Sequence, residues 1–547
     1  MESEQEQKLR GGFYTPAPIA EFIADWAVQE DTESILEPSC GDGNIVEALL
    51  DRCVELDDGR ERTLTGVELN EEEAAKTRRR VSSINGSVDT TIETAEFFKF
   101  CIDQTRWGQT RYDAVVGNPP FIRYQDFPDD QRDRALEILA EAGLSKTRQM
   151  NAWMPFLIGG TQMLSKHGRL AMIIPATLLQ VKYAGELREF LTKQFSHLTV
   201  ITFTELVFDE VLEEVVLVLG ERNREKRAGL NLIELDSAND LNQYSHQAFE
   251  EGDVKNVNHS TEKWTLYYLD QEYIDLVRKL PERDGISPVN EFADVNVGVV
   301  TGRNAFFLQT RDEEEDRGLS EYTRPIVTRS AHLGDGVRFT EEEYTSNLDK
   351  NRKARLLDLP EKPKKELPQA VCAYIGLGEW NEYHDGYKTG LRDYWYTVPS
   401  TWVPSGFLLR QIHDYPKFVT NETDATCTDT IHRVRYKGQD DDARAFFAAT
   451  HNSLTWAFSE FIGRSYGGGV LELEPNEAEE LPIPTKNWEN ISLERVDELL
   501  RTEGPEAVLQ YTDKVLLEDG LGLATKQIQD LRDIWQTLQQ RRLGRSR

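Results

Sequence analysis

Ser34-Ile35-Leu36-Glu37-Pro38-Ser39-Cys40-Gly41-Asp42-Gly43-Asn44-Ile45-Val46-Glu47-Ala48-Leu49-Leu50 reads as a strand, a glycine-containing turn and a helix. Ile35 and Leu36 supply a short apolar run, and Asn44 to Leu50 opens a helical pattern with Ile45, Val46, Leu49 and Leu50 on one face. Gly41 and Gly43 let the chain turn sharply and let a ligand approach the backbone. The amides at the start of the following helix then face that ligand. The turn lacks the GxGxxG spacing of dinucleotide sites and the lysine of a phosphate-binding loop. An adenosine ligand without phosphates fits it better. Taken alone, the turn is equally a tight connection and nothing more.

Working outward, the unit repeats. Leu64 to Glu68, Tyr112 to Val116, Leu170 to Ile174, Val200 to Phe203 and Val215 to Leu219 complete a set of strands, with helical patterns between them. Upstream, Ile19, Phe22, Ile23, Trp26 and Ala27 fall on one helical face. Strands alternating with helices predict a doubly wound α/β domain. Glu68 ends the second strand, where an acidic residue commonly accepts hydrogen bonds from ribose hydroxyls.

After Gly220 the alternation stops. The expected organisation is a catalytic domain over 1–235, a polar connecting segment over 236–290, a Gly-, Pro- and aromatic-rich domain over 291–485 and a helical region over 486–547. The last ends in the basic tail Arg541 to Arg547. Trp380, Tyr383, Tyr387, Lys388, Arg392 and Tyr394 to Tyr396 suit either a nucleic-acid surface or an ordinary aromatic core.

Composition bounds the class. The 547 residues are too many for one ordinary domain. No apolar run approaches the ~20 residues of a membrane helix, and the charged start Met1-Glu2-Ser3-Glu4 lacks the apolar stretch of a signal peptide. Cys40, Cys53, Cys101, Cys372 and Cys427 have no paired or metal-ligand spacing. A reduced, cytoplasmic protein without a metal centre is expected. The 96 Asp and Glu against 63 Lys and Arg give a net charge of -33. That balance argues against a polyanionic partner at first sight. The acid is spread along the chain, as in Glu71-Glu72-Glu73, Glu313-Glu314-Glu315 and Asp440-Asp441-Asp442, and this fits adaptation to a salty cytoplasm better than a single repulsive face.

The most specific string is Asn118-Pro119-Pro120-Phe121, directly after the strand that ends at Gly117. Two prolines fix the backbone and remove two amide donors. The Asn118 side-chain oxygen and the Pro119 carbonyl can then both accept hydrogen bonds, as an exocyclic amino group with two N–H donors requires. Phe121 can stack on a base. The plain alternative is an Asn-Pro turn after a strand.

These pieces, in this order, resemble the γ-class amino-methyltransferases of DNA, the TaqI-like adenine methyltransferases of type II restriction–modification systems. Gly12-Phe13-Tyr14-Thr15-Pro16 resembles the family's N-terminal motif at the methionine end of the cofactor. Glu37, Pro38, Cys40, Gly41, Asp42 and Gly43 resemble its cofactor loop, with Glu68 and Leu69 at the ribose. Glu96 and Phe97 resemble the segment at the cofactor adenine, where the family usually has Asp. Asn118, Pro119, Pro120 and Phe121 match the catalytic motif, with Asn118 also beside the cofactor, and Phe208 resembles a second aromatic against the target base. Val297 to Gly302 and Gly467 to Leu473 resemble strings of the target-recognition region.

The resemblance implies a Rossmann-like class I methyltransferase domain, a mixed α/β target-recognition region and a helical tail. It implies S-adenosylmethionine as cofactor, no metal, and double-stranded DNA as partner. It leaves room for a separate restriction endonuclease. The expected reaction is site-specific methylation of adenine N6, by flipping the base out of the duplex and transferring the methyl group in line. Rival readings keep the active site and change the substrate to cytosine N4, RNA or a protein glutamine. Others make the chain a catalytically inactive DNA-binding subunit or fuse it to a nuclease, for which no PD…(D/E)xK arrangement is found.

Overall fold

The N-terminal unit is built on a nine-stranded sheet in the order β3-β2-β1-β4-β5-β7-β6-β8-β9. The strands are β1 (Ser34–Glu37), β2 (Arg62–Glu68), β3 (Val88–Thr94), β4 (Tyr112–Gly117), β5 (Leu164–Pro175), β6 (His197–Phe203), β7 (Val215–Glu221), β8 (Leu230–Leu235) and β9 (Val254–Lys255). The computed structural model describes residues 15–544 apart from 57, 83, 85–87, 108–110, 148–149, 206, 209–213, 223–228, 244–253, 259–261 and 467. From β3 through β5 every pair is parallel, whereas β7 runs antiparallel to both β5 and β6.

Helices cover both faces. Ala114, Val116, Ala171, Ile173 and Leu217 point into one core with α1 (Ala17–Ala27) and α2 (Asn44–Leu56). Val115, Leu170 and Met172 alternate to the opposite face, as the two-residue period of a strand demands. There α6 (Trp153–Met163) lies so close that a Cβ on Gly160 would stand 2.7 Å from Met172 Cε and 3.1 Å from Val115 Cγ1. The doubly wound α/β architecture expected from the sequence is present.

Three strands were not expected. β3 is a polar, Thr-rich edge strand with Ile92 as its one large apolar residue, yet it pairs with β2 over its whole length, from Arg62↔Val88 to Glu68↔Thr94. A half-exposed edge needs no apolar run, so its sequence resembles a loop. β8 pairs with β6, and β9, inside the stretch read as a connecting segment, adds to β8.

The acidic triplets have local causes. Glu71, Glu72 and Glu73 form the first turn of α3 (Glu71–Ser82), whose last turn carries Arg79 and Arg80, so both ends complement the helix dipole. Asn70 caps this helix, accepting from the amides of Glu72 at 2.8 Å and Glu73 at 3.3 Å. Thr310 with Glu313, and Thr340 with Glu343, form capping boxes on the helices Arg311–Asp316 and Glu341–Asp349. Part of the acidity therefore serves helix starts rather than the solvent.

The second unit runs from Glu272 to Leu543. Its central five-stranded sheet orders Ala293–Val297, Ile431–Tyr436, Gly406–Leu409, Phe418–Asn421 and Arg338–Phe339. Of the aromatic run, Tyr396 is buried and Trp395 packs 4.7 Å from Phe306, whereas Trp380 and Tyr387 are 86% and 79% exposed. Arg542, read as part of the basic tail, is internal, and residues 545–547 lie outside the described residues. Its guanidinium meets both carboxylate oxygens of the buried Glu460, at 2.8 and 2.9 Å, and donates to the Gly469 carbonyl at 2.6 Å. Among the described residues no helix is long and apolar enough to cross a membrane.

Candidate active site

Strand order reverses between β1 and β4, since β1 leads to β2 on one side and β4 leads to β5 on the other. In an open α/β sheet, ligands bind in the crevice beyond the carboxyl ends of the strands at such a switch point. The Glu37–Gly43 turn leaves β1 and Asn118–Phe121 leaves β4, so both strings singled out in the sequence lie at that crevice.

They also touch. A Cβ at position 117 would stand 2.9 Å from Pro38 Cδ and 3.0 Å from Glu37 Oε1, which explains glycine immediately before Asn118. Ser39 Oγ donates to the Asn118 carbonyl at 3.2 Å. Asn118 Nδ2 donates to Thr15 Oγ1 at 3.2 Å, which fixes the amide plane, and the Thr15 carbonyl accepts from Asn44 Nδ2 at 3.4 Å. Thr15 thus joins the segment before α1 to both loops. Tyr14, expected beside it, lies outside the described residues.

The turn itself is held from below. Gly41 and Gly43 have φ of +50° and +92°, a region that favours glycine. Thr77 Oγ1, from α3, donates to the Gly41 carbonyl at 2.7 Å. Arg80 clasps the opening of α2 through Asn44 Oδ1 at 2.5 Å, Glu47 at 2.7 Å and Asp42 at 3.2 Å. Ser39, Asn44, Thr77 and Arg80 were not singled out in the sequence. Thr77 and Arg80 act across the packing of α3 on α2, which no local pattern reveals.

Three carboxylates converge here. Glu37 is fully buried, with Oε2 accepting from the Ser39 amide at 3.2 Å and Oε1 without a hydrogen-bond partner. Glu68 accepts from the Gly41 amide at 2.9 Å and the Asn70 amide at 2.8 Å. Burial, then the charge of Glu68, pushes Glu37 well above the usual carboxylate range. Burial likewise raises Glu68, and it raises Asp42 against the opposing pull of Arg80. Desolvated carboxylates without a full set of partners favour a cation. A ligand carrying a sulfonium and an ammonium fits this donor set. Burial also drives the Cys40 thiol far up its scale, so Cys40 serves as a small residue in the turn and not as a nucleophile.

The remaining candidates divide. Glu96 caps α4 (Phe97–Trp107), accepting from the amides of Phe98 at 2.7 Å and Lys99 at 2.9 Å, and pairs with Arg134 at 3.0 Å. Phe97 is buried and stacks on Phe156 with ring centroids 4.5 Å apart. Leu69 is 60% exposed beside Glu68. Pro119 is buried, whereas Asn118, Pro120 and Phe121 are half-buried. Downstream, the Ala152 amide donates to the Ile122 carbonyl at 2.8 Å, pinning the motif to the start of α6. Phe208 belongs to the same core cluster against which Phe121 packs. Its neighbours Asp209 and Glu210 lie outside the described residues.

With this geometry in place, likeness to known proteins becomes decisive. The family model of the Eco57I restriction-modification methylase matches residues 59–208, and that of the C-terminal domain of the type II methyltransferase M.Eco57I matches residues 261–517. The chain belongs to the Eco57I-like type II restriction–modification methyltransferases. The type II methyltransferase M.AccI of Acinetobacter calcoaceticus is 23% identical over 491 residues, covering 87% of this chain and 85% of that protein. M.XamI of Xanthomonas campestris pv. amaranthicola is 23% identical over 489 residues, covering 87% and 85%. Among solved structures, the type IIL restriction-modification enzyme MmeI matches with a TM-score of 0.55 at 14% identity, covering 95% of this chain and 74% of that one. That last likeness concerns the fold.

Proposed function

We propose that this methyltransferase transfers the methyl group of S-adenosylmethionine to the N6 amino group of adenine in double-stranded DNA. The observation that carries the proposal is the juxtaposition of Asn118–Phe121 with the carboxylate-lined Gly41–Gly43 turn, through the Ser39–Asn118 and Asn118–Thr15 hydrogen bonds. The cofactor supplies an activated methyl group, and the protein supplies binding, orientation and electrostatics.

Glu68 holds the ribose end, and Glu37 and Asp42 set a negative field around the cationic end. Asn118 Oδ1 and the Pro119 carbonyl accept the two amino hydrogens and aim the nitrogen lone pair at the methyl carbon. Because Nδ2 of Asn118 is committed to Thr15, the amide is orientated before substrate arrives. Phe121 and Phe208 stack on the flipped base and offset part of the few kcal/mol that flipping costs. Phe121→Ala is expected to weaken capture of the flipped base by ~1–3 kcal/mol, read as a rise in KM for DNA.

The substrate class is tested by offering labelled cofactor with duplex DNA, RNA and protein in separate reactions. Label is expected in DNA, and label confined to RNA or protein would overturn the reading.

Cofactor binding should also depend on pH. Glu37 and Glu68 keep their protons to higher pH than ordinary carboxylates. A cationic ligand binds their ionised forms better, so binding releases protons. Affinity is expected to rise as pH climbs through that raised range and to level off above it. Calorimetry in two buffers of different ionisation enthalpy reads the proton count directly. Proton uptake on binding would contradict the assignment, and Glu68→Gln should reduce the release.

A further inference from the structure

We propose that the loop Val297–Arg303 and the cations around it form the face of the second unit that grips the phosphate backbone of duplex DNA. The proposal rests on the DNA reading above and assigns residues to it. A chain of net charge -33 repels DNA as a whole, so binding requires a local face of opposite sign.

On this unit many arginines and lysines are matched by carboxylates. Arg311 meets Asp349, Arg324 meets Asp358, Arg338 meets Glu422 and Lys437 meets Asp294. Arg303, Arg329, Lys388 and Arg435 are exposed and, among the described residues, have no carboxylate within ion-pair distance; Lys279, Lys350, Lys362 and Lys365 share that property, but these four are joined by contacts around one loop.

Contacts join the four into one surface through the loop. At its start, Arg433 donates to the Val297 carbonyl at 2.9 and 3.2 Å and lies over Trp402, and Arg435 lies 4.1 Å from the same ring. In its middle, the Val299 amide donates to Cys427 at 2.7 Å. Next to Cys427, the Thr428 hydroxyl donates to the Thr328 carbonyl at 3.1 Å, one residue before Arg329. At its end, Arg392 donates to the carbonyls of Val300 at 3.0 Å and Thr301 at 2.8 Å, and a Cβ on Gly302 would stand 2.9 Å from Lys388 Cβ. Arg303 follows, 5.7 Å over the Tyr383 ring.

The surface has two kinds of arginine. Arg392 and Arg433 are spent on loop carbonyls and position the loop. The four exposed cations have no such commitment. Val297, Val300 and Tyr387 stand exposed among them, which is the mixture of apolar and cationic groups that meets sugar and phosphate. Asp385, Asp393 and Asp429 border the same surface without pairing to the four cations.

The test is fluorescence anisotropy of the full chain with a labelled duplex of about 30 base pairs, titrated across salt concentration. Replacing Arg303, Arg329, Lys388 and Arg435 together by glutamine is expected to lower the slope of log affinity against log salt by about 3 to 4. Cofactor binding should be unchanged. A control carrying Arg495→Gln, Lys514→Gln and Lys526→Gln, whose cations are already paired, should keep the wild-type slope. Should the fourfold variant not fold, each single glutamine is expected to lower the slope by about 1. An unchanged slope, or an equal loss in the control, overturns this surface while leaving the DNA reading intact. Failure of the wild-type chain to bind the duplex at any salt overturns the DNA reading itself.

Discussion

Replacing Asn118 by alanine is expected to slow methyl transfer to DNA by ~10²–10³-fold, the usual consequence of losing one positioned hydrogen bond at a reacting centre. Cofactor affinity should stay near wild type, because Gly41, Gly43 and Glu68 are held by Thr77, by Asn70 and by each other rather than by the Asn118 side chain. The loss should fall on kcat more than on KM, since Phe121 still stacks on the base. Asn118→Asp makes a sharper comparison. It keeps an acceptor but replaces the donor that meets Thr15, so the group loses its fixed plane, and intermediate activity is expected. Single-turnover transfer with saturating cofactor measures both variants. Wild-type rates in Asn118→Ala would remove the amide from the mechanism.

The largest effect on stability is expected in the second unit, far along the chain from the chemistry. Glu460 and Arg542 form a two-pronged ion pair with both side chains out of solvent. Glu460→Ala leaves a guanidinium buried with only the Gly469 carbonyl as partner, and breaking such a pair costs about 3–5 kcal/mol. Replacing both residues, as in Glu460→Leu with Arg542→Met, should restore most of that loss, because neither charge is then stranded. Urea unfolding followed in each variant separates the cases. A single-variant loss below about 1 kcal/mol, as for an exposed pair, would show that water reaches the site.

The switch point was legible because its two loops carry residues with few substitutes. Gly41 and Gly43 need positive φ, and the double proline of Asn118–Phe121 follows an apolar strand. Burial on both faces made β4, β5 and β7 plain. β3 was not legible, because an edge strand with one exposed face carries Thr and Asp where a central strand carries Val and Ile. The supports of the site were hidden for a different reason. Thr77 and Arg80 reach the turn across the packing of two helices, and sequence spacing within α3 says nothing of that. Arg542 shows the converse error. In a run of arginines near the end of the chain, charge alone suggests a solvated tail, whereas the buried Glu460, 82 positions earlier, decides its place.

The net charge is also clearer with the structure in hand. Acid at helix starts, as at Glu313 and Glu343, is bound into capping boxes, while the exposed cations Arg303, Arg329, Lys388 and Arg435 of the second unit are gathered around one loop. A polyanionic partner is compatible with an acidic chain when the charges are arranged in this way.

The central claim is the identity of the methylated atom. It is tested most directly by transferring label from S-adenosylmethionine to duplex DNA, digesting the product to nucleosides and separating them. The predicted result is label in N6-methyladenine, falling towards background with Asn118→Ala. Label in N4-methylcytosine, or DNA left unlabelled by a chain that binds the cofactor, would contradict it.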